Sequence, residues 1–153
     1  MSDSLQRALV SVRASVRQGE RLAYFARSHG GVLGKGWSFD LAEPELTGAE
    51  TLLGLLAADV IGLFLKLAGQ RRVTVDEVEA TAKAEMLDAL AHLGVVGAEG
   101  EPRYDSFSLR VYAGSSAPAA VLQEIWSEAL RRAPLVGTLA RAATLEATLH
   151  IQP

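Results

Sequence analysis

The chain has 153 residues, enough for one domain with a buried core and no need of covalent staples. Its formal net charge of -3, with basic residues clustered only as the pairs Arg71-Arg72 and Arg131-Arg132, argues against an electrostatic footprint for nucleic acid or anionic lipid. It contains no cysteine, which excludes disulfides, thiolate nucleophiles, iron–sulfur sites and cysteine-ligated zinc.

The N-terminus, "MSDSLQRALVSVRASVRQGE", lacks the apolar core of a secretory signal, so a cytoplasmic protein is expected. From Leu9 to Arg17, Val10, Val12, Ala14 and Val16 alternate with Ser11, Arg13, Ser15 and Arg17, the pattern of a half-buried strand. Gln18-Gly19-Glu20 reads as a turn and "RLAYFAR" as a returning strand. The Gly-rich "HGGVLGKG" is expected to form a loop or tight hairpin, with a short strand at "WSFDL" after it. It is not a phosphate-binding loop: Lys35 is followed by Gly36 where Ser or Thr is required, and strand-like residues follow where a helix is needed.

Thr47-Gly48-Ala49-Glu50 has the spacing of a capping box, in which the Thr47 hydroxyl and the Glu50 carboxylate each accept from the other's amide. A helix is therefore expected from about Gly48 to Leu67, ending near Gly69, with Lys66 against the negative end of its dipole. Its sequence "TLLGLLAADVIGLFLKLAG" has nearly the length of a membrane span, but Asp59 sits in the middle. A mid-span Asp costs about 2.5–3.5 kcal/mol on insertion scales. The flanking segments alternate like a sheet with one wet face. A helix apolar on most sides also suits the centre of a water-soluble domain, and that is the expectation here: no membrane partner.

Val73 to Ala84 alternates again, Val78, Ala80, Ala82 and Ala84 against Glu77, Glu79, Thr81 and Lys83. "EMLDALAHLG" fits either a helical turn or a strand extension, and "GVVGAEGEPR" is a loop. Phe107, Leu109, Val111 and Ala113 mark another strand. A second helix is expected from near Ser116, with Pro118 in its first turn, ending before Pro134. A last strand runs from Thr144 to Ile151. No linker, repeat or low-complexity segment divides the chain, so residues 1–153 are expected to form one α+β domain with amphipathic strands and one buried helix layer.

This order of elements, with "GAETLLGLLAAD" opening the central helix and "RRAPLVGTL" before the last strand, resembles the OsmC/Ohr family of osmotically inducible and organic hydroperoxide resistance proteins. The resemblance covers nearly the whole chain from about Leu9. It implies antiparallel sheets wrapped around a long central helix in an intertwined homodimer. In peroxidase members of that family a cysteine on the central helix attacks an organic hydroperoxide and a second cysteine, after the second helix, resolves it. An arginine and a glutamate support the first thiolate.

Carried onto this chain, the resemblance places Asp59 at the reactive-cysteine position and Ala133 at the second-cysteine position. Ala49 matches the glutamate, with Glu50 beside it. Arg13, Arg17, Arg21 and Arg27 all lie in the N-terminal strands, and Arg27 is the preferred match for the arginine. Peroxide reduction by this route needs a thiolate that can become a sulfenic acid and be recovered, which a carboxylate cannot do. Cysteine-dependent peroxidase activity is therefore not expected.

Three roles remain open for Asp59: a structural ion pair or hydrogen bond, a ligand site, or a general acid or base. Glu50 is first a capping residue, and Trp126, like Trp37 and Phe39, is either core or the wall of a small apolar pocket. Asp59, Glu50, Arg27 and Trp126 are the ligand-binding candidates. His29, His92 and His150 have no metal-ligand spacing, and neither a metal nor another cofactor is expected. The expected protein is a homodimeric binding or structural relative of the family, with a small apolar pocket near Asp59. The alternative is a non-redox enzyme using Asp59 as acid or base on a small organic ligand.

Overall fold

Strand alternation builds the body of the protein. In the computed structural model, which describes residues 7–18, 20–26, 29–32 and 47–153, β1 (Ala8–Arg17), β2 (Ala23–Ala26), β3 (His29–Val32), β4 (Glu77–Leu87), β5 (Arg103–Gly114) and β6 (Thr144–Gln152) form a sheet. Its order is β3-β2-β1-β4-β5-β6. The register aligns the inward residues in rows: Val10, Ala84, Phe107 and Leu145, then Val12, Ala82, Leu109 and Ala147, then Ala14, Ala80, Val111 and Leu149. One face is thus apolar across four strands. The other carries Arg13, Thr81, Arg110 and Thr148 in matching rows and stays wet.

Against the apolar face lie α1 (Gly48–Gln70), α3 (Ala119–Arg132) and α4 (Pro134–Ala142), with the short α2 (Ala89–His92) at the far end of β4. Ala80, Ala82 and Ala84 make the middle of β4 shallow, so α1 can settle over β1 and β4. Leu53, Leu56, Ala57, Val60, Ile61 and Phe64 are buried there. At about 25 cal/mol per Å² of apolar area, this layer is the main favourable term holding the fold. By length and composition α1 could cross a membrane, yet half of its most apolar window is buried within this one chain. It is the core helix of the layer.

Both ends of α1 are set locally. The capping box is present: Thr47 N–H donates to Glu50 Oε1 at 3.0 Å and Glu50 N–H to Thr47 Oγ1 at 3.2 Å. At the other end the helix passes through Gly69 to Gln70, so Lys66 is not in its last turn. The left-handed residue of the stop is Arg72 (φ 57°), flanked by Arg72 N–H to Gly69 O at 3.1 Å and Val73 N–H to Ala68 O at 2.9 Å. These are the paired bonds of a Schellman stop with arginine where glycine is usual.

Several expectations change. "HGGV" is strand β3, outermost among the described strands, and Gly30 and Gly31 stand opposite Phe25 and Tyr24. "EMLDALAHLG" is both of its alternatives: β4 runs on to Leu87, then Asp88 turns through a left-handed conformation into α2. β4 starts at Glu77, because residues 73–76 serve the junction with α3, where Ser115 Oγ donates to Thr74 O at 2.6 Å.

The second helix begins at Ala119 and does stop before Pro134, but Pro134 opens a further helix, α4. The crossover through α3 and α4 returns β6 parallel to β5, so the sheet is mixed and not purely antiparallel. The strand expected at 37–41 lies outside the described residues.

Candidate functional site

Asp59 sits midway along α1, on the flank facing the α3–α4 corner, and is half-buried. Ala133 ends α3 and precedes α4 in extended conformation (φ -75°, ψ 115°), and it is buried. A methyl group cannot cap a helix, and Pro134 at the first helical position has no amide hydrogen. The next amide, Leu135, is the first needing an acceptor. Asp59 Oδ2 supplies it, accepting from Leu135 N–H at 3.0 Å.

A side chain of one helix therefore does the work of an N-cap for another. It places a carboxylate at the positive end of the α4 dipole and fastens α4 to the middle of α1. A bond of this kind contributes about 1–2 kcal/mol. Among the described residues no Lys, Arg or His forms an ion pair with Asp59.

The other described candidates, Glu50 and Trp126, have contacts of their own. Glu50 is occupied by the capping box, nine residues and about 13 Å of helix rise from Asp59. Trp126 is 3 % exposed and packs edge-to-face on Phe64, with centroids 5.8 Å apart and planes at 78°. That is a core contact between α3 and α1. Arg27, Trp37 and Phe39 lie outside the described residues. Of the histidines, His92 is in α2, and His150 stacks on Tyr112 at 5.0 Å on the wet face of the sheet. The latter pair was not singled out from sequence; it follows from the β5–β6 register.

Burial shapes the electrostatics at the other flank of α1. Tyr24, inward on β2, is buried against Gly54 of α1, where its ring carbons come within 2.6–2.8 Å of the position a Cβ would take. Desolvation pushes its phenol above the usual tyrosine value, partly offset by a hydrogen bond with the Thr51 side chain. On the surface of α3, the hydrogen bond from Arg131 holds the Glu128 carboxyl below its ordinary value, helped by the charges of Arg131, Arg132 and Arg71.

Two cavities bounded by described residues lie away from Asp59. A groove of about 540 Å³ runs between the C-terminal end of α1 and the ends of β1 and β4, lined by Leu65, Ala68, Val73, Val75 and both Arg17 and Arg72. A cleft of about 190 Å³ on the wet face of the sheet includes Lys83, Arg110, Tyr112 and Glu146. The grouping that combines a polar side chain, a helix terminus and an apolar surround is Asp59 with the Ala133–Leu135 corner.

Comparison with solved structures identifies the architecture. An OsmC-like hydroperoxide resistance protein from a Jannaschia species superposes with TM-score 0.65 at 17% identity, over 91% of this chain and 90% of that one. An OsmC-like protein from Mycoplasma pneumoniae matches with TM-score 0.60 at 12% identity, over 92% and 96%. An OsmC-like protein of unknown function from Vibrio cholerae matches with TM-score 0.52 at 13% identity, over 98% and 100%. No protein-family model matches the sequence, and no curated protein does. The chain has the OsmC-like fold, without a cysteine.

Proposed function

We propose that this protein is a homodimeric, single-domain relative of the OsmC/Ohr proteins that binds or scaffolds and does not reduce peroxides through thiols. In this reading Asp59 occupies the place of the reactive cysteine and Ala133 that of the resolving one. The observation that carries it is the Asp59 Oδ2–Leu135 N–H bond at 3.0 Å, which ties the central helix to the corner containing Ala133. Where relatives with two cysteines would close a reversible disulfide, this chain has a hydrogen bond.

The chemistry supports the same conclusion. A peroxidatic thiolate attacks one peroxide oxygen, releases the alcohol and is left as a sulfenic acid. The chain has no sulfur nucleophile for that step. Asp59 is engaged as an acceptor in helix capping, which favours a structural role over acid or base catalysis.

Support for the dimer comes from α1 and α4. Leu55 is 39 % exposed on α1, whose other large apolar residues are buried or half-buried, and α4 has no buried residue although Leu135, Val136 and Leu139 are apolar. A second copy covering this surface would also close a small apolar pocket beside Asp59, sized for a compact organic ligand. The test is an assay of organic hydroperoxide consumption with a dithiol reductant, alongside light scattering of the purified protein. A dimer without turnover is expected. Robust dithiol-dependent turnover would refute the proposal, as would a stable monomer.

A further inference from the structure

The wet face of the sheet treats its charges in two ways. Toward the two ends of β4 they are neutralised in place: Arg7 pairs with Glu85 at 2.8 Å and Arg17 with Glu77 at 3.4 Å. In the middle they are not. Lys83, Arg110 and Glu146 are exposed and line one cleft of about 190 Å³. Among the described residues none of the three forms an ion pair.

Strand register holds them apart. Ser108 of β5 stands opposite Lys83 of β4 on one side and Glu146 of β6 on the other. With strands about 4.8 Å apart, the backbones of Lys83 and Glu146 are separated by about 10 Å. Arg110, two residues along β5, shares their face about 7 Å from Ser108 and is flanked by Thr81 and Thr148. The charges therefore form a triangle with two positive corners and one negative. Thr81, Ser108 and Thr148 line the same cleft, as does Tyr112, whose ring stacks on His150. Arg13 and Glu79 share the face but do not line the cleft.

A ligand of one sign suits this triangle poorly. A simple anion gains from Lys83 and Arg110 but is repelled by Glu146. A simple cation meets two repulsions for one attraction. A molecule carrying both charges close together complements all three corners. Arg110 favours a carboxylate, which a guanidinium can hold with two parallel N–H donors. The cleft is also smaller than the roughly 300–1,000 Å³ of pockets for drug-sized ligands, so the occupant is small.

We propose that this cleft binds a free α-amino acid, its carboxylate between Arg110 and Lys83 and its ammonium on Glu146. The proposal is independent of the dimeric reading and of Asp59, which lies on the other side of the sheet. The ligand's side chain is neutral, because the three charges of the lining are already matched, and Tyr112 offers it an apolar surface.

The probe is L-leucine, titrated into isotope-labelled protein at neutral pH and followed by amide chemical shifts. Saturable shifts should centre on Ser108, Arg110 and Glu146. Two fragments separate the charges: isocaproate is leucine without its ammonium, and isopentylamine is leucine without its carboxylate. Each should bind about tenfold more weakly than leucine or worse. Arg110→Gln and Glu146→Gln, at exposed positions, should leave the melting temperature unchanged and each weaken leucine about tenfold. Glu146→Gln should also abolish the preference for leucine over isocaproate, which a structural role of Glu146 would not do. Absence of saturable shifts in the cleft overturns the site. Isocaproate binding the parent protein as tightly as leucine overturns the amino-acid assignment. Leucine binding that neither variant weakens overturns the roles given to Arg110 and Glu146.

Discussion

Asp59 accepts a hydrogen bond from the amide of Leu135 at 3.0 Å, across 76 positions of sequence, and so caps a helix to which it does not belong. Truncation should expose what this bond contributes. Asp59→Ala leaves the first amide of α4 without its acceptor and should cost about 1–2 kcal/mol in urea denaturation. Asp59→Asn should cost less, about half of that, because an amide oxygen still accepts. Equal losses would mean that the carboxylate acts through its charge and not through this bond.

The contact between Tyr24 and Gly54 sets two preferences in opposition. Helix propensity alone predicts that Gly54→Ala stabilises α1 by about 1 kcal/mol. The added methyl would stand 2.6 Å from the Tyr24 ring, inside a packed core. Overpacking of this kind costs about 1–3 kcal/mol, so the variant should be net destabilised in thermal and urea melts.

The same tyrosine predicts a pH dependence. Its folded-state value is raised, so its contribution to stability is complete below the unfolded tyrosine value near 10 and declines as pH rises through the folded value. Urea midpoints should therefore fall on the alkaline side of pH 10. Tyr24→Phe should flatten that fall. Some slope should persist through Tyr104, whose phenol burial also pushes up.

Arg72 holds a left-handed conformation at the stop of α1 and forms no ion pair among the described residues. Glycine takes that conformation without the steric penalty, so Arg72→Gly should stabilise by about 0.5–1 kcal/mol despite its more flexible unfolded chain. A loss of stability would show that the Arg72 side chain makes contacts worth more than the backbone strain.

What could be read in advance divides along local and distant lines. The Thr47–Glu50 box and the alternation of Val10–Val16, Val78–Ala84 and Phe107–Ala113 are encoded within a few residues, and the structure reproduces them. Pro134 both ends one helix and opens the next, and because proline does either, its position alone signals the stop and not α4. The parallel return of β6 depends on a crossover through two helices, which alternation alone does not report. At the candidate site, Asp59 stood out because a carboxylate in an apolar helix is costly. Its partner could not be seen, since a backbone amide carries no sequence signature.

The overall likeness to OsmC-like structures was legible from "GAETLLGLLAAD" and "RRAPLVGTL" although identities are only 12–17% in the structures compared. The capping box and the apolar spacing of α1 are what its layer on the sheet requires of this chain. Of the two roles open to Trp126, core residue and pocket wall, the packing on Phe64 agrees with the first.

The central claim is that Asp59 and Ala133 stand where a reactive and a resolving cysteine would stand. The most direct measurement is the free-thiol count and peptide map of the Asp59→Cys/Ala133→Cys protein after one equivalent of an organic hydroperoxide. The account predicts that one thiol is oxidised to a sulfenic acid and that the other condenses with it, releasing water. Both thiols should be lost together, leaving a disulfide within the chain between positions 59 and 133. Two thiols that stay free, or that link only different chains, would contradict it.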